Sequence, residues 1–209
     1  MRAGVIVEGN TDAAVLEALV QSKCPEVLVT VLQPKRDRTT GWPGLKEYLN
    51  KKGRDLEKLS NYGGYCGILV QADADIAGLP CSPQGAAYQW KQAESRLLAW
   101  SELASWPRCI YPVIPVMCLE TWSCASHVGC RNRTPQMECF SCERVVSNLR
   151  DDNMREAVRR KETSFYREKF APAVVENWEQ VVRFCPVGAG KFDMVLRQLR
   201  SECCAKEEV

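Results

Sequence analysis

Apolar runs recur along this chain at intervals too wide for hairpins, and stretches of helical periodicity fill the gaps between them. Residues 4–8, built on Val5-Ile6-Val7, predict a first strand. Asn10 or Thr11 then caps a helix over about 12–22, where Val15, Leu16, Leu19 and Val20 recur at helical spacing. Val27 to Leu32 is β-branched and bounded by Pro25 and Pro34, which predicts a second strand. Short helices follow near 43–52 and 54–61, and Gly63-Gly64 breaks the chain before a third strand at 66–72. A long helix is predicted from about 85 to 104, with Trp90, Ala93, Leu97, Leu98 and Trp100 as apolar positions. Cys109 to Met117 is the fourth strand candidate. Pro112 and Pro115 cannot donate ladder hydrogen bonds, which favours a sheet edge or irregular pairing.

Residues 119–126 begin a helix, 128–142 is a loop-like insertion, and 143–204 is helical, interrupted by Pro172 and by Pro186 with Gly188 and Gly190. Strands alternating with helices predict an α/β fold with a central, mostly parallel sheet and helices on both faces. At 209 residues, one domain spanning 1–209 is the simplest account.

Composition narrows the class without naming a partner. A hydrophobic share of 45% and a charged share of 26% are those of a soluble globular protein, and no apolar run is long enough for a membrane span. The opening residues lack the basic stretch and apolar segment of a secretory signal, which predicts a cytoplasmic protein. The net charge of +2 places any phosphate-binding surface locally, in small basic patches.

The acids carry more information. Glu8 follows the first apolar run, Asp73 and Asp75 the third, and Glu120 the fourth. Carboxylates at strand ends are costly to bury unless paired, hydrogen-bonded or bound to a cation. Strand carboxyl ends are also where ligands gather in open α/β sheets. If strand geometry persists, Asp73 and Asp75 point to one side, about 6–7 Å apart. That suits Mg²⁺, which takes a few carboxylates and keeps several waters. Asp12, one turn into the first helix, can face the same crevice. The bland alternative is that each acid caps a helix or turn, which explains acids at three separate strand ends poorly.

These residues resemble a known family. Val5 through Asp12 is similar to the first motif of Toprim domains, an apolar strand followed by Glu-Gly-x-x-Asp, and Leu69 through Asp75 is similar to the second, strand then Asp-x-Asp. Leu119-Glu120-Thr121-Trp122 resembles the acid-plus-aromatic helix start of small OLD-like Toprim proteins of bacteria and phages. The segment from Phe184 to Leu199 is also similar to the end of a small bacterial Toprim-like family. The resemblance implies a four-stranded Toprim-like sheet and Mg²⁺- or Mn²⁺-dependent cleavage of phosphodiesters in DNA or RNA. It implies Glu8 as general base or metal ligand, Asp73 and Asp75 as the metal pair, and Glu120 as an acid supporting a second metal. Because OLD-type Toprim modules work beside an ATPase, it also implies an ATPase partner in antiviral defence. One departure is Ala77, where the Asp-x-Asp pattern usually continues to a third acid. That favours the alternative of a non-catalytic Toprim-like subunit used for protein or nucleic-acid contact.

Lys161 is a candidate for stabilising phosphate charge, against the reading of Arg159, Arg160 and Lys161 as a solvated helix end. Arg36, Arg38, Arg131, Arg133 and Arg160 are candidate phosphate contacts. Trp42, in Gly41-Trp42-Pro43-Gly44, is a candidate for stacking on a base. Gly188-Ala189-Gly190-Lys191 lacks P-loop spacing.

Twelve cysteines are many for a cytoplasmic chain, and buried thiols or metal ligation are expected over a disulfide framework. Cys124, His127, Cys130, Cys139 and Cys142 are candidate ligands for structural Zn²⁺, since Cys139 and Cys142 have C-x₂-C spacing. Against this, Cys124 to Cys130 is not a ligand pair of standard spacing. A zinc-stabilised recognition loop is the function such a site would serve.

Overall fold

The computed structural model describes residues 1–34, 41–78, 85–126, 130, 133–134 and 137–204. Four strands form one sheet: β1 (Arg2–Ile6), β2 (Leu28–Gln33), β3 (Tyr65–Gln71) and β4 (Ile110–Val113). Their spatial order is β2-β1-β3-β4, and every pairing is parallel. Parallel neighbours need crossovers, and helices supply them. α1 (Asn10–Lys23) joins β1 to β2, α2 (Gly41–Lys52) and α3 (Leu56–Gly63) lie between β2 and β3, and α4 (Ala86–Ser101) precedes β4.

The strand sequences explain their positions. β1 and β3 are central and covered on both faces, which is why they read as unbroken apolar runs. Alternate residues go to opposite faces: Val5 and Leu69 enter one core, Ile6, Ile68 and Val70 the other. After β4 come α5 (Glu120–Ser126), α6 (Cys142–Asn148), α7 (Asp152–Arg159), α8 (Thr163–Phe165), α9 (Ala171–Glu176), α10 (Trp178–Phe184) and α11 (Gly188–Cys204), and the first core is closed by α1 with α5, α9, α10 and α11. Trp122, Tyr166, Phe170 and Phe192 are its large side chains. The second core holds Leu45 and Leu49 of α2, Leu56 of α3 and Trp90, Ala93 and Leu97 of α4. Each aliphatic side chain buried this fully contributes about 1.5–3 kcal/mol. α11 comes close to the sheet because Gly67 has no side chain; a Cβ there would lie 2.7 Å from Leu199 Cδ1.

β4 is an edge strand, with its one proline, Pro112, opposite Val70. It is shorter than the expected 109–117. The segment expected as an insertion contains a 3₁₀ turn at Met137–Cys139, and Cys118, Cys124, Cys130, Met137, Phe140 and Val145 form a small core of their own. No helix among the described residues is long and apolar enough to cross a membrane.

Topology then fixes one location. α1 carries the chain from β1 outward to β2, whereas β3 lies on the other side of β1 and leads away to β4. The loops after β1 and β3 therefore diverge and open a crevice at the strands' carboxyl ends, the switch point where open α/β sheets bind ligands. Glu8 follows β1 there, and Asp73 follows β3.

Candidate metal centre

Glu8 and Asp73 meet across the switch point. The backbone N–H of Asp73 donates to Glu8 Oε1 at 3.0 Å. Asp73 Oδ1 in turn accepts from the backbone N–H of Leu119 at 3.1 Å and from Gln71 Nε2 at 3.3 Å. Asp12 completes the group as the third residue of α1, where its carboxylate takes the backbone N–H of Gly9, the reach-back half of a capping box. Glu8, Asp12, Asp73, Arg160, Lys161 and Thr163 line one crevice of about 240 Å³.

Three carboxylates this close repel one another. Burial, then the charge of Asp12, pushes Glu8 up to about 8, against the pull of the Asp73 N–H. Burial and Glu120 push Asp12 up to about 7. Burial together with Glu8, Asp12 and Glu120 holds Asp73 well above the usual carboxylate range. Each of these shifts marks a carboxylate lacking the positive charge its ionised form needs.

Lys161 is the cation that faces this group, and its backbone shows how it is held. α7 (Asp152–Arg159) ends in a Schellman motif: Lys161 N–H donates to Val158 O and Glu162 N–H to Ala157 O. The motif needs a left-handed residue, normally glycine, and Lys161 fills it with φ +52°. A non-glycine residue there costs about 1–2 kcal/mol. Contacts of its side chain offset that cost. Lys161 Nζ pairs with Glu120 Oε1, and the same oxygen accepts from the Tyr166 hydroxyl at 2.6 Å. Burial alone would lower the Lys161 pKa, but Glu120, Asp73 and Asp12 outweigh it and hold the ammonium above the usual lysine range. Burial alone would likewise raise Glu120; the charge and hydrogen bond of Lys161, with the Tyr166 hydroxyl, hold it below its ordinary value.

The crevice thus gathers Glu8, Asp73, Lys161 and Arg160 of the expected site residues, together with Asp12. Arg160 is two-thirds exposed and paired to Glu156 at 2.8 Å. Two expectations are corrected. The strand does not persist to Asp75: β3 stops at Gln71, Asp73 caps a 3₁₀ turn over Ala74–Ala77, and Asp75 is exposed and does not line the crevice. Its carboxylate takes the N–H of Ile76 and adds charge that Glu8 feels. Glu120 does not line the crevice either; it lies behind Lys161 and is neutralised by it.

The expected zinc set is also corrected. Cys124 and Cys130 are joined in a disulfide and Cys139 is disulfide-bonded, so only Cys142 of that set is a free thiol among the described residues. Another disulfide ties Cys66 of β3 to Cys203 of α11, although a disulfide framework was not expected. The small core around Met137 and Phe140 removes the need for a metal to order this segment. His127, Arg36, Arg38 and Arg131 lie outside the described residues. Arg133 is partly buried, which lowers its pKa. Trp42 lies in the first turn of α2, half exposed, with its ring stacked on Trp100 at 6.1 Å.

Sequence reasoning placed Asp12 at the margin, yet it is 7% exposed and lies between Glu8 and Lys161 electrostatically. Its signal was available: an acid four residues after Glu8, at the third position of the helix that starts from the same loop. Tyr166 was missed, because nothing local separates a site tyrosine from a core one. No family model, characterised protein or solved structure is significantly similar to this chain.

The donor set fits a hard divalent cation. Carboxylate oxygens are the ligands Mg²⁺ and Mn²⁺ favour. A dication beside Glu8, Asp12 and Asp73 would restore all three to their ionised forms.

Proposed function

We propose that this chain is a Toprim-like, divalent-metal-dependent phosphodiester hydrolase acting on DNA or RNA. The observation that carries the proposal is the convergence of Glu8, Asp12 and Asp73 at the switch point, opposite a lysine held in a left-handed backbone. Glu8, Asp12 and Asp73 would hold Mg²⁺ or Mn²⁺. The bound cation supplies Lewis acidity toward the phosphate and toward water.

The chain's own groups do the rest. Glu8 Oε1 is fixed by the Asp73 N–H, which leaves Oε2 to accept a proton from an attacking water. Lys161, kept protonated by Glu120, faces the crevice as a fixed positive charge for the phosphate's developing negative charge. Arg160 at the rim positions the phosphate backbone without reading bases. An ATPase partner in antiviral defence belongs to this reading through the family resemblance.

A second reading, a non-catalytic subunit that binds nucleic acid or protein, is favoured by Ala77 in the 3₁₀ turn and by the neutralised Glu120. Nicking of supercoiled plasmid separates the two. Wild type with Mn²⁺ should nick, and Glu8→Gln and Asp73→Asn should not. Nicking that survives both substitutions removes the site assignment; binding without nicking supports the second reading.

A further inference from the structure

The Lys161–Glu120 pair has a second side. Behind it lies a separate cavity of about 290 Å³, lined among others by Cys142, Glu143, Val146 and Val158. Glu120 and Cys142 line this cavity, and beside it Cys118 Sγ, Cys142 Sγ and a Glu120 carboxylate oxygen lie within 4.8 Å of one another. Neither cysteine is in a disulfide, and the two thiols are hydrogen-bonded to each other. Glu120 Oε1 is engaged by Lys161 and Tyr166, whereas Oε2 is buried with no hydrogen-bond partner. Glu120 is 2% exposed, and an orphaned oxygen at that depth is destabilising unless a ligand satisfies it.

We propose that Cys118, Cys142 and Glu120 form a binding site for a borderline divalent ion of the Zn²⁺ class. Two thiolates and one carboxylate suit Zn²⁺ and exclude Mg²⁺, the reverse of the all-oxygen crevice on the other side of Lys161. With Zn–S near 2.3 Å and Zn–O near 2.0–2.2 Å, tetrahedral ligand atoms lie about 3.5–3.8 Å apart, so the sulfurs close in by about 1 Å at most. Cys142, at the solvent-exposed start of α6 (Cys142–Asn148), can supply that movement. The fourth position opens to the cavity. Binding releases the thiol protons to solvent. The ion takes Oε2 while Lys161 keeps Oε1, so it pins the acid that positions the lysine. The site stands independently of the nuclease reading.

Cd²⁺ titration of the full-length, metal-stripped chain under anaerobic conditions, read by thiolate-to-metal charge-transfer absorption, tests it. One equivalent should bind, undisturbed by excess Mg²⁺. Cys142→Ser should weaken binding by about 100-fold or more and Glu120→Gln by about tenfold, while Cys109→Ser and Asp73→Asn leave it intact. Cys142 is on the surface, so its variant folds even where a Cys118 variant does not. No absorption band, a band that survives Cys142→Ser, or a Cys118–Cys142 disulfide in the isolated chain overturns the proposal.

Discussion

The molecule buries carboxylates in two ways, and the contrast separates structure from chemistry. Glu138, 3% exposed, accepts from the backbone N–H groups of Val187 and Gly188, both at 3.1 Å, where α11 begins. Burial raises it, and those two donors pull it back. Such an acid needs nothing further; it is a cap for a helix. Glu8, Asp12 and Asp73 also take N–H donors, but they repel one another and face a lysine already claimed by Glu120. A buried acid satisfied by backbone amides is architecture. A buried group of acids short of positive charge is a place for a cation.

The largest expected effect is at the crevice. Asp73→Ala should lower nicking by at least about 100-fold, since removal of a merely supporting residue in a metal site already costs about 10–100-fold. Plasmid assays at saturating Mn²⁺ read it directly, and an unchanged rate would move the chemistry elsewhere. Next is Lys161→Ala, which strands Glu120 as a buried, unpaired charge. Breaking a buried pair costs about 3–5 kcal/mol, and the half-exposed lysine reduces this to about 2–3 kcal/mol. Denaturant melts should show that loss, and a loss near zero would mean the pair does not hold the region together. Glu138→Ala should destabilise by about 1–3 kcal/mol through the orphaned amides, while the nicking rate of the folded protein stays the same. The smallest effect is a comparison of two variants. Lys161→Gly should be about 1 kcal/mol more stable than Lys161→Ala, because only glycine takes φ +52° freely.

How far the sequence foretold this depends on the range of the interactions involved. Unbroken apolar runs revealed β1 and β3, because strands buried on both faces have no polar side to alternate. Pro112 marked β4 as an edge because proline's missing donor is a local fact. Glu8 and Asp73 were legible for a similar reason: each directly follows its strand, and parallel topology brings strand ends together. Asp75 was misplaced because the 3₁₀ turn after Asp73 leaves no signature in a run of alanines and acids. The neutralisation of Glu120 was hidden in a partner 41 residues away. The cysteines misled most. Spacing suggested ligands among Cys124, Cys130 and Cys139, whereas packing joined Cys124 to Cys130 and brought Cys142 to Cys118, which spacing never linked.

The central claim is that Glu8, Asp12 and Asp73 form an unbalanced group completed by a hard dication, and thermal unfolding of wild type and Asp73→Asn with and without Mn²⁺ tests it most directly. Glu8 at about 8 and Asp12 at about 7 stand above ordinary values of 4.5 and 3.8. The folded chain therefore holds protons that the unfolded chain has released. Metal-free stability is full below those ordinary values and is lost as pH rises through about 8. Mn²⁺ should restore the lost stability at pH 8 in wild type. Asp73→Asn should be more stable than wild type without metal and gain nothing from Mn²⁺. A metal-free wild type as stable at pH 8 as at pH 5, or an equal Mn²⁺ response in both proteins, would contradict it.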